Sequence, residues 1–159
     1  MILTHWHRLK ETQIAPVVTT DIEFVTSNFT YLDEVEEGLP VPVATLTGIQ
    51  SGDLVLANVT ADTGVPNVQS GWTSIGSYNG LHDARWSYQF ATGTSVTYNN
   101  GGTDDEAVVL AAFRNVNQTT PFDVTTPAAV GGGNDSTSVP PPSITTVTNG
   151  CMIVVGIGI

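Results

Sequence analysis

The chain has 159 residues, with four Lys and Arg against fifteen Asp and Glu, a formal charge of −11. A chain of this length is one domain that buries about two-thirds of the surface its unfolded form exposes. The charge balance argues against a nucleic-acid backbone or an anionic membrane surface as partner, since both recruit clustered cations, and it permits cationic partners or Ca2+.

Residues 1–42 read as an amino-terminal arm or attachment segment. His5, Trp6, His7, Arg8 and Lys10 gather half of the chain's Lys and Arg and two of its three histidines, with no continuous apolar core of the kind a secretory signal needs. His5 and His7 would share one face of a strand, half of a metal site, yet no partner at motif spacing completes it. The segment is therefore expected to be an interface, packed on something other than its own core. Asp21 to Thr26 alternates like a half-buried strand, with Ile22 and Phe24 on one side. Asp33-Glu34-Val35-Glu36-Glu37-Gly38 is an acidic turn, and Leu39-Pro40-Val41-Pro42 is held extended because each proline removes a ladder donor.

From Val43 the pattern becomes regular. Val43 to Leu46 is a strand, Gly48 to Gly52 a turn, and Asp53 to Val59 a strongly apolar strand. A polar loop runs from Ala61 to Ser70, and Gly71 to Ile75 is a short strand. Ala84 to Ala91 has the cleanest period of two, with Trp86, Tyr88 and Phe90 on one face and Arg85, Ser87 and Gln89 on the other; the aromatic face is expected to be core. Thr94 to Tyr98 pairs with it across the Gly93 turn.

The longest apolar run before the tail, Glu106 to Val116, lies between Asn99-Asn100-Gly101-Gly102 and Asn117-Gln118-Thr119-Thr120-Pro121. Turn residues on both sides and many β-branched neighbours make it a core strand rather than a helix. Arg114 ends it, where Asp123 or Asp53 is the expected partner. Asp104, Asp105 and Glu106 are candidate Ca2+ ligands; they lack the alternate-residue spacing of a calcium loop, so solvated charge guarding the strand is the favoured reading and no cofactor is implied. Thr125 to Pro142 is a Gly- and Pro-rich loop, and Ser143 to Val147 and Cys151 to Ile157 are expected to be the last strands. Cys151, the only cysteine, reads as a buried inert thiol. With turn signals about every ten residues and no persuasive helical period, the fold class is all-β, a jelly-roll-like β-sandwich carrying an extended amino-terminal arm.

Gly52-Asp53-Leu54-Val55-Leu56-Ala57, Ser70-Gly71-Trp72-Thr73, Trp86 to Gly93, Ala111 to Val116 with Thr120-Pro121-Phe122-Asp123, and Pro142 to Thr146 together resemble a β-sandwich module of tailed-phage virion structural proteins and bacterial surface proteins. The resemblance covers residues 43–159 and carries no catalytic residue. It implies a non-enzymatic virion protein, first a capsid decoration (cement) protein. Its partners would be the major capsid protein, other virion proteins and sister copies, in threefold association. The family pattern continues with further strands beyond Ile159, which leaves two expectations open: a fragment, or a last strand completed by a neighbour.

The alternative is a tail-fibre or adhesion module that holds host glycan on Trp72, Trp86 and Tyr88. A hydrolase would need two facing carboxylates, and the chain has no nucleophile elbow, paired-His zinc motif or phosphate loop.

Overall fold

The computed structural model describes residues 21–32, 43–62, 64–80, 83–99, 106–124, 145–148 and 150–154. These residues are all-β, without a helix, in two antiparallel sheets. In chain order the strands are β1 (Glu23–Leu32), β2 (Val43–Thr47), β3 (Leu54–Ala61), β4 (Thr73–Tyr78), β5 (Asp83–Phe90), β6 (Ser95–Asn99) and β7 (Glu106–Arg114). One sheet runs β1-β7-β3-β5-β4 and the other pairs β2 with β6. Glu106 to Arg114 is thus a strand, paired with β1 on one side and β3 on the other.

β3 is central, and its near-continuous apolar sequence fits burial on both faces. Val55, Ala57 and Val59 point inward and meet Val108, Leu110 and Ala112 of β7. Ala44 and Leu46 of β2 and Val96 and Tyr98 of β6 close over the same core, with Trp72 and Ile49 completing it. Leu54 and Leu56 point outward into a smaller cluster with Phe113, roofed by Val116 and Phe122 from the segment after β7.

The small sheet is protected at both edges by side-chain amides that stand in for a neighbouring strand. Gln69 accepts from Asn99 N–H at 2.6 Å and donates to Thr97 O at 3.5 Å, while Asn28 of β1 donates to Thr45 O at 2.7 Å. Residues 64–72 thereby close the side between β6 and β5, where Arg85 Nε donates to Pro66 O.

Four expectations are corrected. β6 (Ser95–Asn99) pairs with β2 in the small sheet and not with β5, so the Gly93 turn joins two sheets rather than closing a hairpin. β1 is ten residues long and runs on to Leu32, because Thr30, Tyr31 and Leu32 find ladder partners in the start of β7, so residues 23–32 of the segment read as an arm are an edge strand of the large sheet. β5 is turned the opposite way from its pattern: Arg85, Ser87 and Gln89 face the inner side, with Ser87 fully buried, and Trp86, Tyr88 and Phe90 are half-buried on the outer side. Residues 145–148 and 150–154 are not in a sheet. A strand requires a ladder partner, and here the Val147 N–H is taken by the Asp123 carboxylate. Residues 1–20 and 33–42 of the expected arm, with the acidic turn and the Leu39–Pro42 segment, and the whole Thr125–Pro142 loop lie outside the described residues.

Candidate functional site

Two features stand out from the core, a charged corner and an apolar face. The corner forms where the turn before β3 meets the end of β7. Gly52, at φ 92°, turns the chain so that its N–H and Asp53 O extend the ladder to Ala91. The Asp53 carboxylate, 2% exposed, accepts Gln50 N–H at 2.9 Å and both Arg114 Nε at 3.0 Å and Nη2 at 2.8 Å. Of the two partners the sequence offers Arg114, the structure selects Asp53. Asn115 follows at φ 64°, a left-handed position that asparagine tolerates, and its Nδ2 donates to Asp21 O. The corner thus locks three segments together. An open cleft of about 200 Å3 lies beside it, lined by Gln50, Gly52, Arg114 and Gln118 among others, and the pair's charges are spent on each other.

The Arg114 hydrogen bonds hold the Asp53 carboxyl below its ordinary value, against the opposing effect of burial. A depressed carboxyl stabilises the fold above the unfolded-state value near 3.8, and that stability is lost as pH falls through the lower folded-state value. Asp123 is lowered too, by bonds from Thr148 and from Val147 N–H. The melting temperature is therefore expected to hold from pH 7 to about 5 and drop steeply below about 4. Asp53→Asn should flatten that acid limb; a limb as steep as that of the unmodified chain would show that Asp53 does not carry it.

The apolar face is the outer side of the large sheet. Register places Phe24, Ser27, Phe29 and Tyr31 of β1 on it, beside Phe113, Ala111, Val109 and Ala107 of β7. Near the charged corner the face is roofed by Val116 and Phe122, and Phe122 meets Tyr88 edge-on at 5.0 Å. Along the β1 edge the face is open among the described residues, with Phe24 at the corner end 52% exposed. Phe29 is 59% exposed, Tyr31 53% and Val109 39%, and across the sheet Val109 is followed by Asn58 and Trp86. Asn58 Oδ1 is buried there with no hydrogen-bond partner among the described residues. Single exposed apolar residues are ordinary, whereas these lie together as one apolar patch on the face.

The candidate residues sort as follows. His5, Trp6, His7, Arg8 and Lys10 lie outside the described residues, as do Asp104 and Asp105; Glu106 begins β7. No group of three or more His, Cys, Asp or Glu placed to hold a metal occurs among the described residues. Trp72 is buried in the inner core against Tyr98, on the opposite side of the large sheet from Trp86 and Tyr88, so these three rings do not form one platform. Compared with known proteins, the chain matches no family model, no curated protein and no solved structure. Phe29, Tyr31 and Val109 escaped the sequence reading because β1 was expected to end at Thr26. The alternation Phe29–Tyr31 was the available signal.

Proposed function

We propose that this chain is a non-enzymatic structural protein of a tailed-phage virion, a capsid decoration (cement) protein whose jelly-roll-like sandwich body stabilises the shell through subunit contacts. The observation that carries the reading is the unroofed outer face, where Phe29, Tyr31 and Val109 lie exposed in two adjacent strands. Covering such a face with a partner protein removes apolar area from water and gains free energy. Contacts that exist only in the assembled particle stabilise it by linkage. The resemblance of residues 43–159 to virion modules supplies the particle. The acidic, cation-poor surface fits a protein partner better than nucleic acid.

The test adds purified chain to expanded capsids and follows their melting. Binding with a raised shell melting temperature is expected, together with a fixed copy number by particle mass spectrometry. Burial of one phenylalanine is worth about 1.5–3 kcal/mol, so Phe29→Asp should weaken binding at least about tenfold while leaving the isolated body folded. Wild-type chain that neither binds nor stabilises shells overturns the reading. A second reading, a tail-fibre or adhesion module, draws on an open cleft of about 270 Å3 where Tyr88 and Phe122 sit beside Thr73, Ser74 and Thr120, an aromatic wall with hydroxyls. A glycan-array signal lost in Tyr88→Ala would favour it.

A further inference from the structure

We infer that Asn58 is the specificity-determining residue of the outer face, accepting at its Oδ1 one uncharged N–H or O–H donor set in an apolar stretch of the shell protein. This rests on the proposal that the face is a shell contact, and it names the chemistry of the cover. Register places four rows across this face from β1 to β5, those of Phe24, Ser27, Phe29 and Tyr31. None of the four contains an Asp, Glu, Lys or Arg, in a chain whose formal charge is −11. Of the two described arginines, Arg85 lies on the opposite side with its Nε bonded to Pro66 O, and Arg114 is held by Asp53. Depletion of charge belongs to the buried centre of a protein contact. A cation brought onto these rows would lose its water and meet no counter-charge, so the group that fits is neutral.

Within this uncharged face one acceptor is left over. Asn58 stands on β3, the middle strand of the five, between Val109 on β7 and Trp86 on β5. It is 7% exposed, and its Oδ1 is buried without a hydrogen-bond partner. Among the described residues it is the one such atom on the outer face; Ser87 Oγ lies on the inner side. Leu54 and Leu56 precede it on the same side of β3, so a strand built only for packing would carry another apolar residue here. A buried amide oxygen without a partner has given up water for nothing, and native structures pair nearly all such atoms. Val109 is 39% exposed and Trp86 half-buried, so both neighbours reach the surface where a partner would lie. A donor entering as one of them shifts turns the orphan into a bonded acceptor, while Phe29 and Tyr31 beside it supply apolar area. A partner without the donor would seal the oxygen in unpaired, so the contact selects among apolar partners.

The test measures folding of the free chain and its binding to expanded capsids side by side. Asn58→Leu keeps the branching at Cγ and removes the acceptor. Urea unfolding should find the free variant at least as stable as wild type, because no bond is lost. The variant also makes the face more apolar, yet it should bind shells at least about tenfold more weakly, since the partner's donor is left unpaired. Asn58→Val, smaller and suited to a strand, repeats both measurements without added bulk. Asn58→Asp should weaken binding as well; a tighter, salt-sensitive contact would reveal a cationic donor and overturn the neutral assignment. If both apolar variants destabilise the free chain, the amide is engaged within one copy and the inference falls without any particle. Shell binding as tight in both apolar variants as in wild type overturns it too, and leaves the decoration reading standing. Absence of wild-type binding removes both. A wild-type dimer in sedimentation velocity that Asn58→Leu dissolves would overturn it by assigning the donor to a second copy.

Discussion

A Trp72→Ala variant should lose about 3–5 kcal/mol of folding stability, the largest effect of any single aromatic truncation in the chain. Trp72 is 8% exposed and meets Tyr98 edge-on at 4.8 Å, and the Tyr98 hydroxyl donates to Asn67 O at 3.3 Å. Trp72 N–H donates to Gln69 O at 3.1 Å, and the Gln69 side chain covers the open edge of β6. The backbone bond survives in the variant, so the loss comes from the indole's packing on Tyr98 and the inner core, where its deletion opens a cavity. Trp86→Ala is the control. That ring is half-buried on the outer face, and its loss should cost about 1 kcal/mol. Urea unfolding of the two variants measures the difference; equal midpoints would contradict the placement of Trp72 in the core. A lost sugar signal in Trp72→Ala would accordingly report unfolding rather than a missing binding platform.

The sheet framework was legible because it depends on local pattern. Asp53 to Val59 reads as a strongly apolar strand, and β3 (Leu54–Ala61) is one, buried on both faces. Turn residues bracket Glu106 to Val116, and β7 spans Glu106–Arg114. What failed was the choice of side. Trp86, Tyr88 and Phe90 alternate as expected, but alternation says only that two faces differ. Which face meets the main core is settled by residues far away in sequence. Residues 64–72 supply Pro66 O to Arg85, which makes the polar side of β5 tolerable inside. Phe122 supplies an aromatic neighbour to Tyr88, which makes the other side tolerable outside.

The same reason hid the protected edges. Gln69 and Asn28 look like loop and surface residues until the fold brings their amides against Thr97, Asn99 and Thr45. The tail failed differently. Thr145, Thr146 and Val147 have strand-like composition, but composition supplies no ladder partner, and Asp123 binds the backbone at Val147 instead. The exposed pair Phe29 and Val109 needed both the length of β1 and its register on β7, neither of which a single sequence states.

Adjacent substitutions in β7 should give opposite results in the free chain and in its assemblies. Leu110 is fully buried on the inner face, in one cluster with Ala57 of β3, Leu46 of β2 and Tyr98 of β6. Leu110→Ala should cost about 2–5 kcal/mol, a large part of the roughly 5–15 kcal/mol that holds a domain folded. Val109, one residue earlier, points to the outer face and is 39% exposed. Val109→Thr keeps the β-branched shape and should change the stability of the separated body by less than about 0.5 kcal/mol. Val109→Asp places a charge in the row of Phe29 and Trp86 and should abolish shell binding, since burying an unpaired carboxylate costs more than the contact gains. Thermal unfolding and capsid binding of the three variants separate the two faces. A helical segment would not alternate so sharply between neighbours, because successive side chains would then diverge by about 100° instead of 180°. Should Leu110→Ala and Val109→Thr destabilise the free chain equally, the outer face is covered within a single copy and the shell contact has no surface left to use.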